Sequence, residues 1–128
     1  MEQLETDWKM NNKFHRGEVW FFDPDPTRGR EQKKQRPCLI LSVDIYNNGP
    51  ADLLIVLPLT TKKKSIPSHI EVKLSGQKDI SYIMCDQIRC ISKERLLITN
   101  HRAEKIAVVD EKIMETIERY LKALLGFN

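Results

Sequence analysis

Thr27–Leu41, TRGREQKKQRPCLIL, starts as a turn-prone polar loop and finishes as an apolar strand. Thr27, Arg28, Gly29 and Arg30 cannot form a packed face. Glu31 and Gln32 follow, then Lys33, Lys34 and Gln35. Arg36-Pro37 closes the loop, because the proline ring biases Arg36 toward an extended backbone. Cys38, Leu39, Ile40 and Leu41 then make a run that requires burial. The loop therefore offers a carboxylate, Glu31, and a guanidinium, Arg36, and is anchored at its far end by a core strand. A rigid strand that holds a loop able to reach substrate is where acid–base and anion-stabilising groups are useful.

Outward from this stretch the chain reads as short strands. Before it, Arg16-Gly17 signals a turn, and Glu18–Phe22 (EVWFF) is rich in β-formers. Asp23-Pro24-Asp25-Pro26 stops that strand by removing two backbone donors. After it, Cys38–Val43 is the second expected strand and Asp44–Pro50 a turn or short loop. Leu53–Leu59 is a continuous apolar run and reads as central. It runs out at Thr60 and Thr61, and Lys62–Pro67 is a basic loop. Ser68–Leu74 alternates, with Ile70, Val72 and Leu74 against His69, Glu71 and Lys73, so it reads as half-buried. Ile80–Ile91 slips phase: Ile83 and Cys85 share one parity, Ile88 and Cys90 the other. A bulge or break near Asp86-Gln87 reconciles them. Ser92–Leu97 reads as a short helical turn. Asp110–Leu125 is a helix with Asp110 as its cap, a stripe of Ile113, Ile117, Tyr120, Leu121 and Leu124, and Gly126 as its stop. The expected architecture is α+β and mainly β: about five short strands in a strongly bent antiparallel sheet or partly open barrel, with the helix against it.

The 128 residues suit one domain, with residues 1–15 as a polar extension, tacked on by Trp8 and Phe14, and residues 16–128 as the body. The formal charge of +3 permits a nucleic-acid partner without requiring one. Its placement says more: Arg28, Arg30, Lys33, Lys34 and Arg36 cluster in one loop, and Lys62, Lys63 and Lys64 in another. The 3 cysteines lie on apolar segments, which argues against a disulfide framework and for a reducing compartment. Cys38, Cys85 and Cys90 are all expected to be buried packing residues. There is no signal-peptide pattern and no run of membrane-spanning length, so a cytoplasmic protein is expected. No spacing of His, Asp and Glu suggests a metal, and no Gly-rich loop a nucleotide, so no cofactor is expected.

RGEVWFFDPDPTRGREQKKQRPCLIL resembles the N-terminal signature of the MazF/PemK family of toxin endoribonucleases. The resemblance continues through LLIVLPLT (Leu53–Thr60), IPSHIEV (Ile66–Val72) and DQIRCISKERL (Asp86–Leu96), in the family's order over about residues 16–125. It implies an SH3-like β-barrel of the MazF/CcdB/PemK type. It further implies a sequence-specific mRNA interferase that is a homodimer, held inactive by an antitoxin whose acidic segment occupies the RNA groove. RNA supplies its own nucleophile, the 2′-hydroxyl. The enzyme then needs a base near O2′, an acid near O5′ and a donor to the phosphorane oxygens, giving 2′,3′-cyclic phosphate and 5′-hydroxyl ends without metal.

Each candidate has a plain reading and a functional one. Arg36 is either a surface arginine, paired with Glu31 or not, or a two-pronged donor to phosphate. The resemblance favours the second, because Arg36 falls on the family's R-P motif. Thr60 is either a strand-ending hydroxyl satisfying its own backbone or a donor beside the reacting 2′-oxygen. Thr61 is its immediate rival. Glu31 is a solvated carboxylate, a partner that orients Arg36, or a base. The catalytic set is thus Arg36, Thr60 and Glu31. Contacts to single-stranded RNA are expected from Arg28, Arg30, Gln32, Lys33, Lys34, Thr61, Lys62, Lys63, Lys64, His69 and Gln87. Arg30 departs from the small residue usual before the family's E-Q pair. His69 is otherwise an exposed spectator. Trp20 and Tyr82 are possible base stackers for which core packing is the simpler reading. The rival function is a non-catalytic module of the same fold, like the gyrase-poisoning toxins.

Overall fold

The computed structural model describes residues 13–23, 36–96, 98, 99, 102, 103 and 105–128. Strands β1 (Glu18–Phe22), β2 (Arg36–Ile40), β3 (Leu53–Thr60), β4 (His69–Val72), β5 (Ser81–Met84), β6 (Arg89–Ser92) and β9 (Lys105–Val108) form one antiparallel sheet. Its order is β4-β5-β3-β2-β1-β9, with β6 also paired to β3. Strands β7 (Ile98–Thr99) and β8 (Arg102–Ala103) make a separate two-stranded ribbon. Helix α1 spans Asp44–Asn47 and helix α2 spans Glu111–Leu125. The result is a curled half-barrel with one long C-terminal helix, the architecture expected.

The inner strands read as continuous apolar runs because both faces are covered. Val19, Leu39, Leu57 and Leu59 enter one core, which continues through Ile70, Val72, Leu74, Ile83 and Cys85 to Met114 and Ile117 of α2. Residues of the opposite parity, Trp20, Phe22, Cys38, Ile40, Leu54 and Val56, enter a second core with Phe14, Ile91 and Leu96. Phe14, in the stretch read as an extension, is fully buried and packs on Trp20 with ring centroids 5.0 Å apart. Strand β4 alternates over Ile70–Val72, with Ile70 and Val72 buried and Glu71 exposed.

The phase slip in Ile80–Ile91 is a real irregularity. Ile83 lies opposite Leu59, whereas Arg89 lies opposite Val56. Six steps on one strand thus face three on the other, and the excess forms a bulge over Cys85–Ile88. Two bonds close it: Cys85 N–H to the Ser68 carbonyl (3.1 Å) and Gln87 N–H to the Met84 carbonyl (3.1 Å). The expected short helical turn is a 3-10 turn over Lys93–Arg95, capped by the Ser92 side chain. Asp110 caps α2 through Ile113 N–H at 2.9 Å, and Gly126 ends it at φ 80, in the left-handed region that glycine adopts without penalty.

Four expectations need correction. Strand β2 stops at Ile40 rather than Val43, because the N–H groups of Leu41 and Ser42 both turn onto the Ile55 carbonyl (2.8 and 3.2 Å) and break the ladder. The expected turn at Asp44–Pro50 contains helix α1, pinned by Asp44, which accepts from Arg16 N–H at 2.9 Å and contacts His15 Nδ1 at 2.8 Å. More strands exist than five, because the bulge divides Ile80–Ile91 into β5 and β6, β7 and β8 are two residues each, and β9 (KIAV) lies in a stretch without an apolar alternation. Cys90 is exposed, whereas Cys38 and Cys85 are buried as expected.

Candidate active site

The strand registers place the candidate residues. Phe22 pairs with Arg36 across β1 and β2. Cys38 pairs with Pro58 as the last recorded pair of β2 and β3, and Arg36 and Thr60 lie two residues beyond it on the same face. Thr60 pairs with Tyr82, and Tyr82 with Glu71. Thr60, Tyr82 and Glu71 therefore form one row across β3, β5 and β4, and Arg36 continues its line on β2, on the same face. Neighbouring positions in such a row are about 4.8 Å apart. Arg36, Thr60 and Tyr82 are half-buried and Glu71 is exposed. Among the described residues, none of the second core's members lies on β4 or β5, although Met84 and the His69 side chain on this face are buried.

Thr60 and Thr61 are separated by this arrangement. The Thr60 hydroxyl accepts from Lys62 N–H at 3.1 Å, which satisfies a backbone donor and fixes the oxygen while leaving its own proton free to donate. Thr61 lines a cavity of about 260 Å³ on the other face, with Phe21, Pro37, Leu74, Gln77, Lys78, Asp79, Ser81 and Ile106. Arg36 forms no side-chain hydrogen bond or ion pair among the described residues. A guanidinium and a hydroxyl on neighbouring strands, both with donors to spare, can take one phosphate between them.

Lys62, Lys63 and Lys64 are exposed on the loop between β3 and β4. Gln87 is exposed on the bulge. His69 is not the exposed residue expected: its side chain is 4% exposed, and Nε2 lies 3.1 Å from the Asp86 carboxylate. A carboxylate can only accept, so Nε2 carries the proton. His69 thereby ties β4 to the bulge that carries Gln87. Glu31, Arg28, Arg30, Gln32, Lys33 and Lys34 lie outside the described residues.

Two further groups bear on the chemistry. Arg89 stands over the Phe22 ring, 5.5 Å from its centroid. Burial pushes the Cys38 thiol up to about 12, with the Arg89 charge opposing the shift, so Cys38 is protonated at neutral pH and is no nucleophile. No group of three or more His, Cys, Asp or Glu among the described residues is placed to hold a metal. Trp20 is core, with its indole N–H bonded to Glu18 at 3.1 Å. Tyr82, for which core packing was the simpler reading, belongs to neither core and stands beside Thr60. The available signal was its parity, shared in the ladder with Glu71 rather than Ile70.

Known proteins agree with this fold. The chain is 33% identical over 114 residues to endoribonuclease EndoA of Bacillus subtilis, an alignment covering 87% of this chain and 93% of that one. Its fold matches a MazF crystal structure from Deinococcus radiodurans with a TM-score of 0.71 at 25% identity, over 91% of this chain and 99% of that one. A MazE–MazF structure from the same organism matches with a TM-score of 0.75 at 25% identity, over 91% and 99%. A mycobacterial endoribonuclease in complex with its cognate antitoxin has the same fold, with a TM-score of 0.67 at 22% identity over 91% and 97%. The model of PemK-like, MazF-like toxins of type II toxin–antitoxin systems matches residues 15–125, and this chain belongs to that family.

Proposed function

We propose that this chain is an endoribonuclease toxin that cuts single-stranded mRNA at specific sequences, without metal. The observation that carries the reading is the register that ends β2 and β3 with Arg36 and Thr60 on the same sheet face, two residues beyond the Cys38–Pro58 pair. In this reading the Arg36 guanidinium donates two hydrogen bonds to the phosphorane oxygens, whose charge grows in the transition state. Thr60 donates a further bond near the reacting 2′-oxygen. Glu31 is the base, or the group that orients Arg36. The lysines at 62, 63 and 64 and the basic residues at 28, 30, 33 and 34 hold the flanking phosphates. Gln32 and Gln87 contact the strand and His69 acts on it through the bulge, whereas Thr61, on the other face, stands away from it.

The relatives support the same setting. One relative is named an endoribonuclease, and neighbours of the same fold are found with antitoxins. The expected form is a cytoplasmic homodimer whose cognate antitoxin lays an acidic segment across the groove. Among the described residues no helix is long and apolar enough to cross a membrane.

The test is incubation with a long RNA in excess chelator. Cleavage is expected to persist and to leave 2′,3′-cyclic phosphate and 5′-hydroxyl ends. An RNA with 2′-deoxyribose at the cut position should stay intact. Cleavage lost in chelator and restored by magnesium or manganese would sink the mechanism.

A further inference from the structure

We propose that Tyr82 is a base-stacking residue of the RNA groove, taking the base of a nucleotide that flanks the scissile phosphate. The proposal rests on the reading of Arg36 and Thr60 as the phosphate site.

Position is the first argument. Tyr82 is the cross-strand partner of Thr60, on the side away from Arg36. It lies one strand spacing, about 4.8 Å, from the hydroxyl that would meet the phosphate. That step is comparable with the one from a phosphate to the base on the same nucleotide.

Commitment is the second. Phe14, Trp20 and Phe22 are all sealed in the second core. Tyr82 is in neither core and is half-buried, so part of its ring meets solvent. Its phenol makes no hydrogen bond among the described residues, so no bond there holds the ring to the fold. Tyrosine also gives a large contact surface for little lost side-chain freedom. Single-stranded RNA is read mainly by splaying its bases onto such rings.

Charge is the third. The row runs from a guanidinium at Arg36 to an exposed carboxylate at Glu71, immediately beyond Tyr82. A phosphate is attracted to the first end and repelled from the second. The sugar–phosphate chain therefore tracks on the Arg36 side, and what extends over Tyr82 toward Glu71 is a base. Glu71 keeps the backbone off the platform.

The experiment uses single-stranded RNAs made uncleavable by 2′-deoxyribose at the cut position. Each carries 2-aminopurine or an abasic site at one of the two flanking nucleotides. Parent protein is expected to quench 2-aminopurine at one of these positions. Tyr82→Phe keeps the ring and should bind within about twofold of the parent, whereas Tyr82→Leu should bind roughly tenfold more weakly or worse, the effect of losing one stacked base. The abasic site at the quenched position should weaken the parent and leave Tyr82→Leu unchanged, since both remove the same contact. Equal abasic penalties in parent and Tyr82→Leu would overturn the proposal. So would parent binding without quenching at either position, which needs no variant to fold. Parent protein that cuts RNA without such quenching sinks the stacking alone; parent that neither binds nor cuts RNA sinks the phosphate site with it.

Discussion

Val56 and Thr60 lie on the same face of β3, yet their surroundings are opposite. Around Val56 the face is roofed by Phe14, Trp20, Ile40, Leu54, Ile91 and Leu96. Around Thr60 it carries Arg36, Tyr82 and Glu71 and no second core layer among the described residues. One strand thus serves two purposes. Its roofed half buries apolar surface on both sides and holds the backbone rigid. Its bare half presents polar groups from that rigid frame at spacings fixed by the sheet, so the geometry of the site is set by backbone pairing rather than by loops.

Substitutions in the two halves should have separable effects. Phe14→Ala removes a fully buried ring from the roof and should cost about 3–5 kcal/mol in unfolding free energy, measured by denaturant titration. Cleavage per folded molecule should be unchanged, and a large loss of activity at full folding would join the two halves. On the bare half, Thr60→Val should slow cleavage by about a hundredfold, the loss of one positioned donor. Thr61→Val, on the other face, should cost little. The reverse order would move the site across the sheet. The smallest effect concerns the lysine loop beyond the bare end. RNA affinity should fall with salt at a log–log slope of about −0.7 per phosphate contact. Neutralising Lys62, Lys63 and Lys64 together should flatten that slope, and an unchanged slope would place the RNA elsewhere.

Much of the frame was legible in the sequence. EVWFF is β1 with the bounds read from it, and the parity conflict between Ile83 and Ile88 located the bulge. Asp110 and Gly126 marked the ends of α2 because capping is a local matter. The roof was not legible. Periodicity tells which residues share a face, not whether anything covers it. The cover comes from Phe14 and Leu96, one before β1 and the other after β6. Tyr82 therefore looked like a core residue inside an apolar stretch, and His69 like a surface one. The bulge reverses the latter by bringing Asp86 to the imidazole. Helix α1 was hidden because its support is non-local: Asp44 bonds to His15 and Arg16. The sharing of one sheet face by Arg36 and Thr60 also depends on register, which no local motif states.

Arg36→Ala tests the central claim most directly, read as single-turnover RNA cleavage beside the melting temperature of the same sample. Arg36 is half-buried at the end of β2, and it makes no side-chain bond among the described residues whose loss would unfold the chain. If it donates to the growing phosphorane charge, its removal should slow cleavage by about a hundred- to a thousandfold, some 2.7–4 kcal/mol. The melting temperature should stay within a few degrees and most of the RNA affinity should remain. Arg36→Lys should recover little, because a point charge does not reproduce the two-pronged donor. An Arg36→Ala protein that cuts RNA at near the parent rate, or one that unfolds, would contradict the account.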